Sequence, residues 1–238
     1  MDRTSRFAWW WRVVSSATVA AFGRRGALFR APRGADAVSG SKTITATFTG
    51  PGSPPDLSKV PHPTWLPPDN EIGVAADLRA TLASDEHHAL ILIGCVGYSN
   101  GFDFTISYRS RDPISRELLG PGVAQSPGQG LSIRIEYPDG RFSTSQRRVT
   151  DAMRAFFQAA LEGKTPPLPP GPIVMPQRSG GGGKRYEFQF WCWPLPPDGP
   201  IKVTAEWAGA GIDSTTVEID ASSIRRAGLS STRLWNGS

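Results

Sequence analysis

Residues 102–110, FDFTISYRS, alternate without a break: Phe102, Phe104, Ile106 and Tyr108 fall on one side, and Asp103, Thr105, Ser107 and Arg109 on the other. A period of two marks a strand with one buried and one solvated face. The pattern returns in residues 131–137, LSIRIEY, in residues 201–207, IKVTAEW, and in residues 215–219, TTVEI. Residues 71–83 alternate weakly, whereas residues 88–98, HALILIGCVGY, form an almost continuous apolar run that predicts a strand buried on both faces. Ser99-Asn100-Gly101 predicts a tight hairpin, because Asn-Gly accepts the positive φ angles such turns use. Pro138-Asp139-Gly140 predicts a second, leading into residues 141–145.

One segment carries a strong helical period. In residues 150–163, TDAMRAFFQAALEG, the apolar stripe is Met153, Phe156, Phe157, Ala160 and Leu161, Thr150 or Asp151 stands where an N-cap belongs, and Gly163 can end the helix. Lying between strands, it is expected to lid one sheet. Asp220 is placed to cap a short terminal helix over residues 221–229. Eight or so strands joined mostly by hairpins, with one inserted amphipathic helix and a short C-terminal helix, predict a mainly β chain, an antiparallel β-sandwich or jelly roll. The 26 Gly and 22 Pro among 238 residues agree with many turns and few long helices.

Charge changes the picture less than the net +5 suggests. Residues 1–37 hold seven Arg against Asp2 and Asp36, which supplies the whole excess, so the chain from Val38 onward is formally neutral and gives no electrostatic case for nucleic acid. The apolar run in residues 6–22 is split by Arg12 and too short for a spanning helix, so no stable membrane span is expected. With seven Arg, eight Ala and no Lys, residues 1–37 read as a non-native extension, with Val38 as the start. A signal-like segment or a surface helix is the alternative. The organisation expected is therefore 1–37 as that extension, 38–70 as a Pro/Gly-rich lead-in anchored by Trp65 and Leu66, and 71–238 as the β-sandwich domain. A cytoplasmic location follows, or a secreted or membrane-associated one if residues 1–37 are genuine. Cys95 and Cys192 lie in apolar strand-like runs and read as two buried free thiols, with a disulfide across a sandwich as the alternative.

Residues 178–200, RSGGGGKRYEFQFWCWPLPPDGP, are the densest in candidate chemistry. A phosphate loop would need a glycine where Arg178 stands, a hydroxyl where Arg185 stands, and a helix afterwards rather than a strand. A long hairpin with the glycines as a mobile connection is the reading adopted. Beyond it, alternation puts Tyr186, Phe188, Phe190 and Cys192 on one face and Glu187, Gln189, Trp191 and Trp193 on the other. Trp191 and Trp193, with Trp65, either form an aromatic shelf for a sugar or other flat ligand, or are covered by the helix or the lead-in. Residues 84–88, SDEHH, hold ligand-type side chains in a turn, but adjacent residues seldom all reach one metal, and no metal site or cofactor is expected. Asp103, Glu136 and Glu206 sit on polar strand faces as solvated carboxylates, and no nucleophile elbow occurs, so no catalytic residues are assigned.

The WCWPLPPDGP turn, the glycine run before it and EWAGAGI at residues 206–212 resemble a set of uncharacterised actinobacterial proteins, over about residues 71–235. The resemblance implies no activity, cofactor or site residue. It implies that Pro194 to Pro200 make a rigid turn between two paired strands. The function expected is that of a soluble, non-catalytic β-sandwich interaction or binding protein with a possible protein partner. The alternatives are a carbohydrate or small-ligand module using Trp191, Trp193 and Trp65, and a hydrolase with an unrecognised carboxylate site.

Overall fold

A computed structural model of the chain describes residues 60–115, 118, 130–146 and 149–235. The expectations for residues 1–37 lie outside these. The described fold is mainly β, with antiparallel sheets and two helices, as the periodicity predicts. In chain order the strands are β1 (Glu71–Ile72), β2 (Val74–Ala76), β3 (Ala80–Ser84), β4 (His88–Tyr98), β5 (Gly101–Ser110), β6 (Ser132–Glu136) and β7 (Phe142–Thr144). Helix α1 (Thr150–Leu161) follows, then β8 (Ile173–Gly182), β9 (Arg185–Trp193), β10 (Pro200–Trp207), β11 (Ile212–Asp220), α2 (Ser222–Leu229) and β12 (Thr232–Arg233).

The strands form two main sheets. The larger runs β2-β4-β5-β9-β8, with β3 also pairing β4; the smaller runs β11-β10-β6-β7, and β1 pairs β12 as a short ribbon. The core lies where the inward residues of the two sheets meet. Phe102, Phe104, Ile106 and Tyr108 from β5 join Ile133 and Ile135 from β6 and Ile201, Val203, Ala205 and Trp207 from β10, all fully or almost fully buried. Trp207 is gripped by Tyr108 and Phe188, at ring distances of 5.0 and 5.3 Å, which joins the sheets through aromatic contacts.

Several local expectations are corrected. The strand β9 belongs to the large sheet and β10 to the small one, so residues 194–199 carry the chain from sheet to sheet and do not close a hairpin. This crossing is tied down by the Tyr137 hydroxyl donating to the Pro194 carbonyl and by Arg225, which donates to the Pro196 carbonyl and pairs with Asp198 at 3.0 Å. The glycine run is not a mere connector: residues 180–182 are paired strand, opposite Glu187, Tyr186 and Arg185, and the turn is Gly183-Lys184. Pro176 is tolerated in β8 because that strand is an edge, where a missing N–H costs no ladder bond. In α1 neither Thr150 nor Asp151 caps; Val149 is the N-cap residue, Asp151 pairs with Arg154, and Leu161 is exposed. The end at Gly163 is as expected, with its N–H bonded to the Ala160 carbonyl and φ at +69°. Asp220 does meet the start of α2, accepting from the Ser222 N–H at 2.9 Å.

Candidate functional site

The turn that joins β4 to β5 organises one end of the large sheet. Its two residues, Ser99 and Asn100, connect the paired Tyr98 and Gly101, and neither takes a positive φ. Gly101 is required for a different reason from turn geometry: a Cβ there would stand 2.4 Å from the Cys192 carbonyl oxygen and 2.5 Å from the Trp191 ring. Asn100 reaches outward instead, its Nδ2 donating to the carbonyls of Thr64 and Leu66 at 2.7 and 2.8 Å. The Glu71 carboxylate holds Ser99, accepting from both its N–H and its hydroxyl. The lead-in is thereby fastened over the outer face of the sheet.

Under it lies the aromatic cluster. The Trp191 ring N–H donates to the Trp65 carbonyl at 3.0 Å, Tyr98 meets Trp191 edge-on at 5.7 Å, and Phe156 of α1 meets Trp65 edge-on at 6.4 Å. Trp65 and Trp191 are both 0% exposed, and Trp193 is half-buried. A surface shelf needs exposed ring faces, so Trp65 and Trp191 do not form one. They are covered, by the lead-in and through it by the helix, because a strand end with Trp on its outer side is too apolar to leave in water.

Next to this sealed end the same outer face opens into a groove of about 480 Å³. Its origin is a defect in the sheet edge. The strand β3 pairs β4 as far as Leu92, β2 resumes at Cys95, and residues 77–79 arch across the gap, leaving Ile93 and Gly94 paired with neither. On the other side, Ile93 is the extra residue of a β-bulge against β5, since Leu92 opposes Ile106 and Gly94 opposes Thr105. Ile93, Val96, Ala75 and Ala76 give the groove apolar walls, Asp103, Thr105 and Gln189 its polar part, and the exposed Asp77 and Arg79 its rim.

Asp103 departs from the solvated carboxylate its strand pattern predicts. Burial pushes it up to about 6, against opposing pulls from the nearby Arg178 guanidinium and a hydrogen bond from the Tyr98 hydroxyl. Its Oδ1 is buried with no hydrogen-bond partner among the described residues. Ser107, four residues on and on the same face of β5, is also fully buried with its hydroxyl unpartnered. Period two identifies the outer face of β5 but carries no information about what covers that face, so only the arch and the bulge, which are non-local, reveal this site.

The other candidates do not converge on it. Glu136 and Glu206 lie on the small sheet, Glu206 exposed and Glu136 beside Arg134 at 2.9 Å and Lys202 at 3.6 Å. His87 is in the β3–β4 turn, where Asp85 accepts from the N–H groups of His87 and His88 and closes the loop. Among the described residues no cluster of three or more His, Cys, Asp or Glu is arranged to hold a metal ion. Cys95 and Cys192 are free and buried in the same sheet on either side of β5, opposite Phe104 and Phe102, so no bridge crosses the sandwich. Burial raises both thiols, Cys192 to about 12, which leaves them protonated and unreactive. Among the described residues no helix is long and apolar enough to cross a membrane. No family model, curated protein or solved structure matches the chain.

Proposed function

We propose that the protein is a non-catalytic binding protein whose ligand is a small molecule held in the Asp103 groove. The observation that carries this reading is the coincidence, in one recess of about 480 Å³, of apolar walls with three neighbouring polar side chains, Asp103, Thr105 and Gln189. Small-molecule sites commonly fall within roughly 300–1,000 Å³ and combine apolar lining with a few fixed polar groups. The aromatic cluster acts as the rigid abutment beside the recess rather than as the recognition surface. A cytoplasmic location is part of the proposal, supported by two buried thiols that remain free.

The test is a titration of the ¹⁵N-labelled full chain with a set of small fragments, following the amides of Gly94, Thr105 and Gln189. Saturable shifts centred on these three, with the fragment recovered unchanged, are expected. Shifts confined to other surfaces, or chemical conversion of the fragment, would refute the reading.

A further inference from the structure

We infer that the groove takes a neutral ligand, a carboxamide or lactam on a compact apolar body, whose amide is read by the side chains of Thr105 and Gln189. This deepens, and rests on, the binding function proposed above. The charges that border the recess have counter-charges in the protein. Asp103 has the Arg178 guanidinium and the Tyr98 hydroxyl beside it, and its remaining oxygen, Oδ1, is buried out of reach of anything in the groove. Asp77 and Arg79 at the rim carry opposite charges and set no net sign there. An ion of either sign entering between these walls gives up its water without meeting an unanswered charge, a cost that a neutral molecule escapes.

The polar capacity left unused is neutral. Thr105 and Gln189 stand opposite one another across β5 and β9, both half-buried, and neither makes a hydrogen bond among the described residues. Thr105 brings a hydroxyl that donates or accepts, and Gln189 a carboxamide with separate donor and acceptor atoms. Side chains opposed in register lie about 5 Å apart at Cβ, close enough for one amide to engage both. An amide offers its own acceptor and donor on two atoms, whereas an alcohol has both on a single oxygen. Beside this pair Ile93, Val96, Ala75 and Ala76 meet carbon. Gly94, in register with Thr105, keeps the floor open: a Cβ there would have no heavy atom within 4 Å beyond its own chain neighbours.

Four probes share one body and differ in the head: phenylacetamide, 2-phenylethanol, phenylacetate and 2-phenylethylamine. Calorimetry on the full chain gives affinity, and the amides of Gly94, Thr105 and Gln189 report position. Phenylacetamide is expected to bind tightest, about fivefold better than the alcohol, which is the worth of one further net hydrogen bond, and about tenfold or more better than either ion. Gln189→Leu, with Thr105→Val as a second variant, should remove the lead over the alcohol while the alcohol still binds. Gly94→Val should fill the recess and abolish binding of all four. Melting curves verify that the three variants fold. Either ion binding as tightly as the amide, equal binding of amide and alcohol, or an amide lead that survives both side-chain changes would overturn the neutral-ligand inference while leaving the groove in place. If no probe moves the groove amides, or if binding is untouched by Gly94→Val, the inference and the binding function fall together.

Discussion

Asp103 and Trp191 are cross-strand neighbours on the outer face of one sheet, yet one faces a groove and the other is sealed. The backbone ladder is the same at both, so the difference comes from what lies above. Over Trp191 the lead-in is fastened by Asn100 and backed by Phe156. Over Asp103 the covering chain turns aside, because the arch of residues 77–79 leaves the sheet and the bulge at Ile93 removes a pairing partner. A sheet face becomes core or site according to whether the neighbouring chain stays on it.

The sharpest way to break this contrast is to remove the seal. Trp65→Ala should cost about 3–5 kcal/mol, as large buried aromatics do, and lower the urea midpoint with little change in slope. A loss below about 1 kcal/mol would mean the cover does not hold the face. Asp103→Asn tests the open side and should have the opposite sign at neutral pH. The wild-type carboxyl, held near 6 against an ordinary 3.8, keeps its proton in the folded state where the unfolded chain has released it, so stability falls between about pH 4 and 6 and stays low above. The shift corresponds to about 3 kcal/mol, so the Asn variant should gain up to that amount at pH 7 and nothing at pH 3.5. Denaturant melts across pH that run parallel for the two proteins would refute the buried-charge account.

Two smaller changes refine the boundary between the regions. Gly101→Ala forces a methyl against the Cys192 carbonyl and the Trp191 ring, and should cost about 1–3 kcal/mol, read by thermal melting. Asn100→Ala deletes two hydrogen bonds to the lead-in and should cost about 1–2 kcal/mol. Hydrogen exchange should quicken at residues 64–66 while the groove amides are unaffected; equal quickening in both places would show that the two regions are not separate.

The strands whose partners are near in sequence were legible beforehand. The period of β5 and β10 and the turn at Pro138 to Gly140 are local, and the structure has them as the pattern requires. The crossing at residues 194–199 was not, since a proline-rich link between two half-buried strands looks the same whether the chain re-enters its sheet or joins another. The alternation of β9 shows an aromatic face that needs a cover or a ligand, but which of the two it receives rests on Trp65, 126 residues away. The period of β5 predicts a solvated Asp103 for the same reason, since what covers the outer face is distant in sequence. The Asn100-Gly101 pair predicts a turn role for Gly101, whereas its constraint comes from Trp191 across the sheet.

The short ribbon of β1 and β12 has a mechanical consequence. Glu71 opposes Arg233 and Ile72 opposes Thr232, while Asn70 and Trp235 exchange hydrogen bonds just outside the pair. Residues 70 and 234 therefore leave this antiparallel ladder at the same end, and from residue 70 the chain runs back to the buried Trp65. Force that separates residue 70 from residue 235 opens the ladder one bond at a time, as a zipper opens, rather than shearing it. On the N-terminal side the same force is carried by the lead-in, so the cover over Trp191 bears load together with the ribbon.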